Sequence, residues 1–153
     1  YLRDSRPRAI RSVDQMTGDQ SKDALGAGTV VGIGTDIVEC ERIAAMEQKH
    51  GEEFLHRVFT EREIAYCGDR KMSELHYAGR WAAKEAILKV LGTGWAKGIQ
   101  WTDVEVINLA SGAPSVILSN RALEIANELG IRQVQVSISH CKAYATAFAI
   151  GLR

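Results

Sequence analysis

The stretch Arg80-Trp-Ala-Ala-Lys-Glu-Ala-Ile-Leu-Lys-Val-Leu-Gly-Thr-Gly94 constrains the fold more than any other. Ala83, Ala86, Ile87 and Val90 recur at i, i+3, i+4 and i+7, the buried stripe of an amphipathic helix. Gly92 stands where a left-handed C′ residue ends such a helix. The opposite face carries Glu85 and Lys89 one turn apart, with Trp81 and Leu88 as neighbours. Charges set beside a Trp and a Leu do not read as a face made for water alone, so this side is expected to line a cleft or meet a second chain.

A chain of 153 residues, 46% hydrophobic, is enough for one domain with a substantial core and short for two. Lys plus Arg and Asp plus Glu both number 19, so no whole-molecule field draws the chain to nucleic acid or an anionic membrane, and any charged partner must meet a local patch. Cys40, Cys67 and Cys141 follow neither zinc-ligand nor redox spacing and read as reduced packing thiols. No apolar run approaches the roughly 20 residues of a membrane span, and the start lacks the basic-then-apolar order of a signal peptide. A cytoplasmic protein is expected.

Residues 1–28 are polar and aperiodic and read as a flexible N-terminal extension, leaving 29–153 as the folded domain. Thr29 to Val38 is β-branched and delivers Asp36 to the far end of a strand, followed by a helical stretch closing near Gly51. Thr60 and Glu63 form a capping box for a short helix over 61–68. Ser73 is the expected N-cap of the central helix, 74–91, and 92–98 is too glycine-rich to be other than a loop. Strands are expected at 103–109 and 115–118 around a turn at Ser111 to Pro114, a helix from Asn120 to Leu129 stopped by Gly130, and a closing antiparallel hairpin of 133–139 and 143–150. Helices and strands mix without βαβ alternation, so the fold class is α+β with a largely antiparallel sheet packed on a long central helix.

Asp36 and Glu85 come from different elements. They are either solvated surface acids or a pair of oxygen ligands for a hard cation, and the absence of His or Cys partners favours magnesium over zinc. Gly92-Thr93-Gly94 after Lys89 is either ordinary helix termination or a flexible amide turn beside an ammonium, suited to a pyrophosphate. His140 follows the strand Val-Ser-Ile-Ser at a hairpin, where it is equally suited to a structural role, a hydrogen bond to phosphate or proton transfer.

Taken together, Gly32-Ile-Gly-Thr-Asp36-Ile-Val-Glu-Cys-Glu-Arg42, Arg80-Trp-Ala-Ala-Lys-Glu85-Ala, Leu91-Gly-Thr-Gly94 and Val136-Ser-Ile-Ser-His140 resemble, in order and spacing, the holo-[acyl-carrier-protein] synthases, the small trimeric group of 4′-phosphopantetheinyl transferases. The resemblance extends over about 30–150. It implies that fold, and an enzyme of fatty-acid biosynthesis that moves the 4′-phosphopantetheine arm of coenzyme A to a serine of apo acyl carrier protein and releases 3′,5′-ADP. Asp36 and Glu85 match the family's magnesium ligands. Lys89, with Gly92, Thr93 and Gly94, matches its pyrophosphate-holding lysine and loop. Lys71, Arg80 and His140 match contacts to the phosphates and nucleotide end of coenzyme A, and Arg42 matches a carrier-facing residue. Glu85 and Lys89 become the catalytic candidates, in a homotrimer with sites between protomers, where Trp81 and Leu88 would pack against the next copy. Glu41 and Glu47 make the carrier face less basic than the family pattern, and the role of Lys84 stays open. A catalytically silent module that binds coenzyme A or a nucleotide is the alternative.

Overall fold

The computed structural model describes residues 28–153; except for Gly28, the expected N-terminal extension lies outside them. The elements are β1 (Val30–Glu39), α1 (Cys40–Val58), α2 (Glu61–Gly68), α3 (Ser73–Leu91), β2 (Val104–Asn108), β3 (Pro114–Leu118), α4 (Asn120–Glu128), β4 (Gln133–His140) and β5 (Tyr144–Leu152). Two antiparallel sheets form, one of order β1-β5-β4 and a second of β2 paired with β3. The α+β class holds.

Helix α3 packs against β1, β5 and β4 on one side and against α1, α2, β2 and α4 on the other. The sheet can lie close to it because the residues facing it are small. Ala145, Ala147, Ala149 and Gly151 line β5, and Gly32 and Gly34 line β1. A Cβ on Gly32 would sit 2.6 Å from the Val90 carbonyl oxygen, and one on Gly34 would overlap that of Ala86. Strand and helix backbones therefore touch at these two positions.

Ala83, Ala86, Ile87 and Val90 are buried as their spacing requires, but Leu88 is equally buried. The second layer covers the face that carries it, so Leu88 is core and does not meet another chain. A helix enclosed by two layers is apolar nearly all round. Trp81 is half-buried and spends its ring on Phe54 and Trp101 of its own chain, with centroids 6.1 and 4.3 Å away.

The capping box at α2 is present, with Thr60 Oγ1 accepting from Glu63 N and Glu63 Oε2 accepting from Thr60 N. Two boundaries differ from expectation. Gly51, at φ 54° and ψ −136°, breaks α1 without ending it, and the helix resumes to Val58. Ser73 is the first residue of α3, and the cap position falls to Met72 in the left-handed region, with no side-chain bond. At the other end Gly92 caps α3 at φ 67°, as predicted.

Candidate functional site

The glycine contacts between β1 and α3 decide what faces what. Asp36 lies two residues beyond Gly34 on the same face of β1, and Glu85 immediately precedes Ala86, whose carbonyl Gly34 abuts. One turn after Glu85, Lys89 Nζ donates to Asp36 Oδ1 at 3.0 Å and to the Thr35 carbonyl at 2.6 Å. The two sequence-predicted carboxylates thus lie at one strand-helix crossing, with Lys89 bridging from helix to strand. Glu85 accepts a 2.8 Å hydrogen bond at Oε1 from Trp95 Nε1. Among the described residues, no hydrogen bond reaches the second oxygen of either carboxylate.

The Gly92-Thr93-Gly94 turn follows directly. The Gly92 and Thr93 amides return to the Lys89 and Leu88 carbonyls as the helix cap. The Gly94 and Trp95 amides have no partner among the described residues and are the ones that an anion could use.

Arg80 and His140 meet elsewhere. His140 closes β4 on its α3-facing side, at the sheet edge opposite β1. With Arg80 it lines a cavity of 180 Å³ whose walls include Tyr66, His76, Asn108 and Ile138. Arg80 is almost fully buried; its Nη2 donates to Asn108 Oδ1 at 2.6 Å and its guanidinium lies 4.1 Å above the Tyr66 ring. Its Nε is buried without a partner, an uncompensated donor of the kind a bound anion would satisfy. The His76 and His140 rings are 5.6 Å apart. Burial, then His140, Arg80 and Arg70, hold the His76 imidazole below its ordinary value against a weaker pull from Glu74.

Lys71 sits exposed in the turn before α3, next to Arg70, whose guanidinium lies 4.5 Å from the Tyr66 ring. It does not line the cavity. Arg42 is exposed in the first turn of α1, with no hydrogen bond or ion pair to either group among the described residues. Sequence reasoning passed over Trp95, Tyr66, His76 and Asn108. His76 had a usable signal in its position one turn before Arg80, and Trp95 in being the lone aromatic of a glycine-rich loop.

These two groups flank one helix. Arg80 and Lys89 are nine residues apart, which at 3.6 residues per turn turns them to opposite sides of α3.

Residues 32–149 match the 4′-phosphopantetheinyl transferase superfamily. A holo-[acyl-carrier-protein] synthase of Protochlamydia amoebophila is 52% identical over 120 residues, 78% of this chain and 96% of that protein. The crystal structure of the Neisseria meningitidis holo-[acyl-carrier-protein] synthase superposes with a TM-score of 0.74 at 31% identity, covering 82% of this chain and all of that one. The Helicobacter pylori synthase, solved in complex with coenzyme A, gives 0.69 at 31% identity, covering 78% and 98%. The chain therefore belongs to the 4′-phosphopantetheinyl transferase superfamily and, within it, to the holo-[acyl-carrier-protein] synthases.

Proposed function

We propose that this chain transfers the 4′-phosphopantetheine arm of coenzyme A to a serine of an apo acyl carrier protein, with release of 3′,5′-ADP, in support of fatty-acid biosynthesis in the cytoplasm. The observation that carries the reading is the crossing at which Asp36, Glu85 and Lys89 converge beside two unpartnered loop amides. That group suits a pyrophosphate. The cavity of Arg80, His140 and His76 suits the phosphorylated nucleotide end, and the exposed Lys71 lies near enough in sequence to Arg70 and the Tyr66 wall to add charge there.

The donor set fits magnesium. Asp36 and Glu85 are hard oxygen ligands with one oxygen each left over, and among the described residues no group of three or more His, Cys, Asp or Glu gathers as a zinc site would require. A magnesium ion held by these two carboxylates would neutralise pyrophosphate charge and align the attack. The protein's own groups do the rest. The carrier serine hydroxyl attacks the β-phosphorus, the bond to the bridging oxygen breaks, and 3′,5′-ADP departs. Glu85, directly or through water, accepts the serine proton, and Lys89 stabilises the leaving phosphate. A carrier approaching across α1, where Arg42 is exposed, reaches a cavity of 260 Å³ lined by Phe54, Arg57, Trp81 and Trp101. Trp81 is one turn from Glu85.

The two half-sites on opposite flanks of α3 are best joined by pairing one copy's crossing with another's cavity. The open face of the β1-β5-β4 sheet supports such an assembly, since Ile33, Ile37 and Phe148 stand exposed there as an apolar patch. We propose a homotrimer with sites between protomers as that assembly, to be checked by solution mass.

Incubation with magnesium, coenzyme A and an apo carrier, followed by weighing the carrier, tests the function. A gain of one phosphopantetheine arm supports transfer. An unchanged carrier with intact coenzyme A would leave a silent binding module, and 3′,5′-ADP release without a carrier would point to hydrolysis.

A further inference from the structure

The Glu85 carboxylate is held by the loop as well as by its helix. Trp95 Nε1 donates to Glu85 Oε1 at 2.8 Å from a loop whose flanking residues Gly94, Lys97 and Gly98 all adopt positive φ. Such a loop would not fix an indole by backbone stiffness alone. An aromatic stack fixes it. The Trp95 and Trp101 rings are stacked with centroids 3.5 Å apart, and Trp101 packs at 4.3 Å on Trp81, which sits one turn before Glu85 on the same side of α3. The contacts close a ring that starts and ends on α3, passing through Trp81, Trp101, Trp95 and Glu85.

We propose that Trp95 is a positioning residue for Glu85: its indole N–H engages one carboxylate oxygen and turns the other toward Asp36 and the reacting phosphate. Resting on the transfer reading above, this assigns the tryptophan stack the task of docking loop 92–98 onto α3. The geometry is paired across the site. Lys89 occupies one oxygen of Asp36 as Trp95 occupies one of Glu85, so each carboxylate presents a single oxygen in a fixed direction. A side chain held at one oxygen loses the rotation about its terminal bond that would otherwise spread the other oxygen over many positions. The amides of Gly94 and Trp95 are oriented by the same docking, because they belong to the residues that the stack anchors.

The test uses the full chain with ¹⁵N-labelled tryptophan. Three indole N–H signals are expected, and the one lost in Trp95→Phe should be protected from solvent exchange and should move in Glu85→Gln. In the transfer assay Trp95→Phe, which keeps an aromatic ring and lacks the donor, should lower kcat about tenfold, the scale of one hydrogen bond to a charged group. Its KM for coenzyme A and its urea midpoint should stay at the wild-type values. Trp101→Leu, which keeps the donor and removes the stack, should broaden the Trp95 indole signal and lower kcat as well. An active wild type whose Trp95→Phe variant turns over normally, or loses stability in step with activity, would overturn the inference. So would a Trp95 indole signal indifferent to Glu85→Gln. A wild type that loads no carrier would instead overturn the transfer reading, and the proposal with it.

Discussion

Lys84 is the buried charge around which the second layer is tied together, and Lys84→Met isolates its worth. Its side chain and that of Glu63 are both fully buried, with Nζ 2.8 Å from Glu63 Oε2, 2.8 Å from the Val58 carbonyl and 3.0 Å from the Trp101 carbonyl. Glu63 in turn accepts from Thr60 N and Val106 N, both at 2.9 Å. One ion pair thus links the end of α1, the cap of α2, strand β2 and the turn that carries Trp101. Burial pulls the Lys84 ammonium below its ordinary value, and the Glu63 carboxylate opposes that pull. Removing the ammonium leaves a buried carboxylate with two amide donors and two carbonyls without their partner, a loss of about 3–5 kcal/mol for a broken buried pair. With an m-value of roughly 2 kcal/mol/M, the urea midpoint falls by about 1.5–2.5 M. The double variant Lys84→Met with Glu63→Gln removes the stranded charge and should regain part of that loss. A single-variant cost below about 1 kcal/mol, or a double variant no better than the single, would refute the claim that the pair and not mere side-chain volume holds these elements together.

Glu85→Gln should abolish transfer while leaving the unfolding free energy in urea within about 0.5 kcal/mol of wild type, because the residue is only half-buried; near-normal turnover would refute its role. Gly34→Ala places a Cβ on the Ala86 carbonyl and should cost about 1–3 kcal/mol in urea unfolding. It should also cut transfer by lifting Asp36 away from Lys89. His76 titrates lower in the folded state than its ordinary value of 6.5, so the unfolded chain binds the extra proton first on acidification. Stability that is fully present above 6.5 is therefore lost as pH falls through the folded value, and His76→Gln should flatten the fall in melting temperature below pH 6.5.

Where signals are local, the sequence reads correctly. The Thr60–Glu63 box, the Gly92 cap and the β4–β5 hairpin each need only a few neighbouring residues, and each forms. Periodicity also finds the sheet-facing stripe of α3, yet it carries no information about how many layers cover a helix. Periodicity therefore points Leu88 toward a cleft or a second chain, whereas a second layer buries it. Met72 takes the cap position of α3 because its left-handed backbone redirects the chain there, a feature that no residue preference announces for Met. The candidate site is legible at Asp36, Glu85 and Lys89 through motif and resemblance. The 53-residue separation of Asp36 from Lys89 is closed by Gly32 and Gly34, whose importance lies in what would collide with a side chain. Tyr66, His76 and Asn108 come from three elements with no shared motif, and only the fold gathers them.

The opposite placement of the two half-sites has a consequence that can be counted. If one copy's Glu85 works with another copy's Arg80, a Glu85→Gln protomer still offers an intact cavity and an Arg80→Gln protomer an intact crossing. Each variant alone would be inactive. In a closed ring assembled at random from equal amounts of both, a site is whole only when the first partner carries Arg80→Gln and the second carries Glu85→Gln, which happens at about one interface in four. Co-expression under two different affinity tags, purification over both and a carrier-loading assay would read this directly. Because purification over both tags leaves only mixed rings, and each mixed trimer holds one whole site among its three, recovery toward about a third of wild-type turnover is expected. Turnover no greater than that of the two variants alone would show that Arg80 and Glu85 serve within one copy, and the nine-position offset from Arg80 to Lys89 would then demand a ligand that wraps α3.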